Sequence, residues 1–229
     1  MENNLLFKYM NERARHAAKL ASVPGPVITV SRECGCSGRL FAEKLTEQIN
    51  AKINDPEKSW KWVSKEVLSR ASEELKIHPE QMSKLLKAEE KNFLDEIVAS
   101  FTDKYYIHDT KVKKVIEEVI RSIAVRGKAV LLGRGSEVLS QDIPLSLHVK
   151  LFAPLDWRAK IMSIRMKISH EEAKKFILKI DDQRTKFRDS YLDKKQNLVL
   201  YDIEFNCAKF SLDEMIGMTV NAATIKSLL

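Results

Sequence analysis

Nine residues, Ser31-Arg32-Glu33-Cys34-Gly35-Cys36-Ser37-Gly38-Arg39, lie between a short β-branched run, Val27-Ile28-Thr29-Val30, and a helical pattern from about Arg39 to Lys52. A turn in that position can aim successive backbone N–H groups at a phosphate, and the dipole of the following helix adds to the attraction. Gly35, Cys36, Ser37, Gly38, Arg39 and Leu40 are therefore the candidate phosphate-binding residues. As a Walker A motif the run is poor. Counted back from Gly38, Glu33 stands where the first glycine belongs, Arg39 where the lysine belongs and Leu40 where the metal-holding hydroxyl belongs. A plain strand-to-helix connection, with glycine supplying positive φ, accounts for the same residues.

Other cations could converge on such a loop. Arg134 follows the buried run Ala129-Val130-Leu131-Leu132 and Gly133, so the backbone delivers it to the carboxyl edge of a sheet, where open α/β folds bind ligands. Arg158, Arg165, Asp181, Arg184 and Arg188 lie in a densely charged stretch over residues 156–195, which reads as a helical lid held open by like charges until an anion gathers them. A planar guanidinium suits that work because it grips phosphate oxygens bidentately. Asp181 and Arg184, at i and i+3, also fit a helix-surface ion pair, and a surface arginine is commonly just solvated. The five histidines have neither ligand nor triad spacing. Cys34, Cys36 and Cys207 cannot all pair within one molecule, and Cys34 with Cys36 lacks the second ligand pair of a zinc site, so all three read as reduced thiols and no metal-ligand set is assigned. Trp60 and Trp62, a period-two pair beside Val63, pack a strand or stack on a base.

The elements that must position these residues alternate. A first helical pattern within residues 1–24 ends at Val23-Pro24-Gly25-Pro26 and offers a face for a homo-oligomer. Strands are expected at 27–30, 60–63, 129–132, 147–152 and 198–203, and helices near 39–52, 64–76, 79–100, 110–126, 135–140, 156–190 and 211–227. Strands alternating with helices imply right-handed crossovers, and hence one α/β domain over 1–229 with a parallel five-stranded sheet flanked by helices. Residues 64–127 form a helical insertion within it.

The composition permits this. The 229 residues are 44% hydrophobic and 31% charged, ordinary globular usage with no case for wholesale disorder. The excess of 39 Lys and Arg over 32 Asp and Glu gives a net charge of +7, which favours anionic partners. Nucleic acid ranks last among them because no recognised binding motif accompanies the charge. No secretory leader pattern and no apolar run approaching a membrane span is seen, so a cytoplasmic location without membrane contact is expected.

Five separated elements, in order, resemble the cytidylate kinase-like family, of the P-loop nucleoside-monophosphate-kinase type. Val27-Ile28-Thr29-Val30-Ser31-Arg32-Glu33 with Gly35, Gly38 and Arg39 is similar to its opening strand and altered P-loop, and Val130-Leu131-Leu132-Gly133-Arg134-Gly135 to its Gly-Arg element. His148-Val149-Lys150-Leu151-Phe152-Ala153-Pro154-Leu155-Asp156-Trp157-Arg158 resembles the strand and helix leading into the lid, and Asp181-Asp182-Gln183-Arg184 with Tyr191 the lid itself. Tyr201-Asp202-Ile203-Glu204-Phe205-Asn206 with Ser211-Leu212-Asp213-Glu214 resembles the final strand and helix. The resemblance implies an ATP- and Mg²⁺-dependent kinase acting on CMP, dCMP or a related phosphorylated small molecule. Arg39 would cradle the donor phosphates, Arg134 would hold the acceptor's phosphate, and Arg158, Arg165, Arg184 and Arg188 would close from the lid, with Asp181 beside them. Four positions depart from the family's pattern: Ser37 replaces a glycine, Ser64 an aspartate, Gly135 an acidic residue, and Leu40 supplies no hydroxyl for a metal. Those departures motivate a second reading, a catalytically impaired nucleotide- or phosphate-binding protein of the same fold.

Overall fold

The computed structural model describes residues 24–64, 110–192 and 200–229. The expected N-terminal helix and the expected helices over 64–76 and 79–100 therefore lie outside the described residues, Ser64 apart. Among the described residues, strands β1 (Val27–Arg32), β2 (Lys61–Val63), β3 (Ala129–Leu132), β4 (Ser146–Phe152) and β5 (Ile203–Asn206) form one sheet in the order β2-β3-β1-β4-β5. Every pairing in it is parallel. The helices are α1 (Gly38–Ile53), α2 (Thr110–Arg126), the short α3 (Ser136–Leu139), α4 (Leu155–Met166), α5 (His170–Asp189) and α6 (Leu212–Ile225). None of them is long and apolar enough to cross a membrane.

The central strands are covered on both faces, which explains their continuous apolar runs. Ile28, Val30, Val130 and Leu132 pack with Phe41, Leu45 and Ile49 of α1 and Met215, Ile216 and Val220 of α6. Val27, Ala129 and Leu131 pack on the opposite side with Ile116, Val119, Ile120 and Ile123 of α2. Each fully buried Ile, Leu or Phe contributes about 1.5–3 kcal/mol, so these two layers fix the sheet that carries the site.

Two expectations are corrected. The last strand is not at 198–203 but at Ile203–Asn206; Leu198 and Val199 lie outside the described residues. Asp202 sets its start, since its N–H donates to the His148 carbonyl at 2.8 Å and its carboxylate accepts the His148 N–H at 2.7 Å. The helix expected over 156–190 is two helices. Lys167, at φ 54°, ends α4, and Ser169 with Glu172 begins α5 in a reciprocal capping box. The two helices close on Ala159, Met162, Ala173, Ile177 and Ile180, all buried.

Candidate functional site

Strand β1 delivers the glycine-containing turn to the carboxyl edge of the sheet. Glu33 N–H donates to Leu151 O (3.0 Å), Cys36 N–H to Glu33 O (3.1 Å) and Gly38 N–H to Cys36 O (2.7 Å), which folds the chain back into α1. Gly35 has φ +97°, which residues with a side chain rarely adopt, and a Cβ there would stand 3.0 Å from the Arg158 Cβ, closer than an ordinary contact. Among the described residues no acceptor meets the backbone N–H groups of Gly35, Ser37, Arg39 or Leu40. Three of these belong to the cap and first turn of α1, where the helix dipole is positive.

A buried guanidinium holds this turn in place. Arg158, 6% exposed, donates from Nε to Ala153 O (2.8 Å) and from Nη1 to Cys34 O (3.1 Å) and Asp181 Oδ2 (2.5 Å). Its Nε also lies 3.2 Å from Glu33 Oε2, which accepts the Ala153 N–H at 3.1 Å. Asp181 completes the clamp by accepting the Cys34 N–H at 2.7 Å. Arg158 and Asp181, both expected at a catalytic centre, thus face the back of the loop and fix its backbone.

Other expected arginines approach the loop from several elements. Arg165 reaches from α4 to Ser37 Oγ (3.2 Å), and Arg184 reaches from α5 to the Arg32 carbonyl (3.2 Å). The Arg39 guanidinium lies over the Trp62 ring, 5.7 Å from its centre. Leu40 is exposed and its side chain carries no polar atom.

Beside the loop, Gly133, Arg134 and Gly135 adopt positive φ in succession, at 71°, 62° and 69°. Gly133 N–H donates to Val30 O (3.0 Å), which ties this bend to β1. A left-handed φ is unremarkable for glycine, but for arginine it is strain of about 1–2 kcal/mol. The two glycines leave room for side chains: a Cβ on Gly135 would stand 2.9 Å from the Tyr191 ring, and one on Gly133 would collide with the Arg32 guanidinium. A Cβ on Gly38 would also meet Arg32 Cγ, at 2.8 Å. The Arg32 side chain therefore passes between the 33–39 loop and the 133–135 bend.

The next buried group is Glu137 of α3, 2% exposed. Tyr201 Oη sits 3.4 Å from Glu137 Oε1 and donates to Ser31 Oγ at 3.2 Å, while Glu137 Oε2 has no partner among the described residues. Burial pushes the Glu137 carboxyl above its ordinary range, and the Arg188 and Arg32 charges oppose that in part. Arg188 donates to Asp189 from Nε (2.8 Å) and Nη2 (2.7 Å), and its charge acts on both Tyr201 and Glu137. The structure thus brings Arg39, Arg165 and Arg184 to the loop and Arg188 to the Tyr201–Glu137 pair.

Arg32, Glu137 and Tyr201 were not among the expected site residues. Gly135 stood out as an acid missing from the family's pattern; the acid at this edge lies two residues on, and Gly135 is needed for Tyr191.

Among the described residues no three His, Cys, Asp or Glu side chains cluster as metal ligands. Glu33 and Asp181 are engaged by Arg158 and backbone N–H groups, so the donor set does not fit a protein-built magnesium site.

The model of the cytidylate kinase-like family matches residues 27–209. The chain belongs to the cytidylate kinase-like family. Among solved structures, this family member is similar to an uncharacterized protein from Eubacterium ventriosum, with a TM-score of 0.60, 21% identity, and coverage of 86% of this chain and 97% of that one. Shikimate kinase from Acinetobacter baumannii, solved with shikimate, superposes with a TM-score of 0.44 and 7% identity over 93% of this chain and 99% of that one. No curated protein sequence matches.

Proposed function

We propose that this member of the cytidylate kinase-like family transfers the γ-phosphoryl group of ATP to a nucleoside monophosphate, with CMP or dCMP the acceptor suggested by the resemblance. The observation that carries the reading is the pair of features at the ends of β1 and β3. One is a turn whose N–H groups meet no acceptor among the described residues, at a helix N-terminus, and the other is a strained Gly-Arg-Gly bend tied to it by Arg32. Phosphoryl transfer needs positioning and charge neutralisation more than covalent chemistry, and both features supply them.

In this reading the N–H groups of Gly35, Ser37, Arg39 and Leu40 hold the donor phosphates. Arg39, Arg165 and Arg184 neutralise charge that builds up on the transferred group, while Arg134 grips the acceptor's phosphate and Arg188 the acceptor side of the gap. Arg158 and Asp181 position the loop from behind. The α4–α5 hairpin, within the 156–195 segment, carries Arg165, Arg184 and Arg188 and closes over the ligands as a lid.

The engagement of Glu33 and Asp181 by Arg158 favours one alternative, a nucleotide- or phosphate-binding protein of this fold without turnover. ADP formation from ATP and Mg²⁺, measured with each common nucleoside monophosphate, with sugar phosphates and with no acceptor, separates the two. Acceptor-dependent turnover supports the kinase. Binding without turnover supports the alternative, and failure of every nucleotide to raise the melting temperature rejects both.

A further inference from the structure

Two tryptophans of the β2 edge meet α1 in different ways. Trp60, 3% exposed, is clasped by Asn50 near the end of the helix: its N–H donates to Asn50 Oδ1 (2.7 Å), and its carbonyl accepts from Asn50 Nδ2 (3.0 Å). Trp62, half-buried, packs against the same core, and its ring lies under the guanidinium of Arg39 at the other end of α1, 5.7 Å from guanidinium to ring centre. Pairing with β3, where Trp62 stands opposite Val130, fixes the strand that carries the ring.

Arg39 occupies a poor place for a cation. It lies in the first turn of α1, at the positive end of the helix dipole, and that turn contains no acidic residue. Arg165 and Arg184 bring further positive charge to the same loop. A carboxylate would relieve the repulsion, as Glu33 and Asp181 do for Arg158, but it would also cancel the charge. An aromatic face attracts the guanidinium through its quadrupole and cancels nothing. The ring meets the guanidinium without using its N–H groups, which remain for phosphate oxygens.

We propose that Trp62 is a positioning residue for polyphosphate binding, whose ring holds the Arg39 guanidinium beside the 33–39 loop as a full cation and keeps it there when the ligand arrives. The inference rests on the proposed phosphate-binding role of that loop. A long arginine side chain loses rotamer freedom when it grips a ligand, and a ring that restrains it beforehand lowers that loss. Lysine, the usual residue at this position of a Walker loop, is a compact charge on a flexible stem; arginine stacks on rings, so the exchange at position 39 and the tryptophan at 62 belong together.

Calorimetry of the full chain with inorganic pyrophosphate tests this. Trp62→Leu should bind about fivefold more weakly than the wild type, and Trp62→Phe, which keeps a ring, should lose less. In an Arg39→Ala background Trp62→Leu should weaken binding no further, because the ring acts only through the guanidinium. A merely structural role for Trp62 would weaken binding equally with Arg39 present or absent, and that result overturns the proposal. Affinity of Trp62→Leu equal to or above that of the wild type overturns it too. Where Trp62→Leu fails to fold, or Arg39→Ala no longer binds, tryptophan fluorinated on its benzo ring is introduced at position 62. It keeps the ring's outline and drains charge from its face, so affinity should fall as fluorine is added, and unchanged affinity overturns the proposal. Failure of the wild type to bind pyrophosphate overturns the reading of the loop and this inference with it. Binding by the wild type that is indifferent to position 62 overturns the inference alone.

Discussion

Behind the 33–39 loop, the buried Arg158 meets two carboxylates and two backbone carbonyls. On the neighbouring face of the sheet, Glu137 Oε2, Ser136 Oγ and His148 Nε2 are buried with no partner among the described residues. The first region is an ionic clamp in which each charge satisfies another. The second keeps polar atoms and strained backbone that folding alone does not require. A satisfied network stabilises and specifies a loop geometry, whereas unsatisfied polar groups and left-handed arginine are stability given up at a site that has other uses.

The comparison breaks most readily at Arg158. Replacement by alanine strands Glu33 and Asp181 at the back of the loop, and breaking a buried pair from one side costs about 3–5 kcal/mol. Urea unfolding should show that loss, and anion binding to the loop should weaken with it. A loss below about 1 kcal/mol, the worth of an exposed pair, would place the clamp among ordinary surface bridges.

The second region should respond to acid. His148 is 5% exposed, with Thr29 Oγ1 2.8 Å from Nδ1, and burial lowers its pKa to about 4. The unfolded chain takes up the proton near pH 6.5 and the folded one only near 4, so stability falls as pH drops through that window. The fall amounts to about 3 kcal/mol at most, from about 1.4 kcal/mol per pKa unit. Urea unfolding at pH 7 and pH 4.5 should separate the wild type from a flatter His148→Gln; identical slopes would remove His148 as the cause.

Arg134 sharpens the contrast because binding and stability should move in opposite directions. Arg134→Lys and Arg134→Ala should weaken CMP binding by about 1.5–3 kcal/mol and leave ATP binding nearly intact, since a lysine cannot reproduce the guanidinium fork. Arg134→Gly should lose the same binding yet gain about 1 kcal/mol of stability by relieving the φ of +62°. Equal losses for CMP and ATP by calorimetry, or none for either, would remove Arg134 from the acceptor site.

Much of this arrangement is legible in the sequence because it rests on period and order. Val27-Ile28-Thr29-Val30 and Ala129-Val130-Leu131-Leu132 are buried on both faces and so read as continuous apolar strands. The final strand misled because Ile203–Asn206 is a half-buried edge, less apolar than the residues before it. Arg158 and Arg165 look alike in sequence and lie two turns apart on α4, yet one is interior and the other reaches the loop rim, a difference that only packing decides. Arg32 gave no periodic signal; the glycines at 38 and 133 that make room for it are far apart in the chain.

The smallest effect belongs to Glu137, and it tests whether the second region carries a cost for folding. Burial holds its carboxyl above the ordinary range, so the folded chain keeps a proton that the unfolded chain releases near pH 4.3. The stability tied to that proton is fully present below the unfolded pKa and is lost as pH rises through the higher folded one. Glu137→Gln keeps an acceptor for Tyr201 Oη and has no proton to lose. Its melting temperature should therefore exceed that of the wild type by a few degrees at pH 7 and coincide with it near pH 4, given that about 1 kcal/mol moves a chain of this size by about 2–4 °C. If instead the variant melts lower at pH 7, the attraction of Arg32 and Arg188 outweighs burial and Glu137 is charged. The second region would then be a clamp like the first, and the contrast between the two would rest on the strained bend alone.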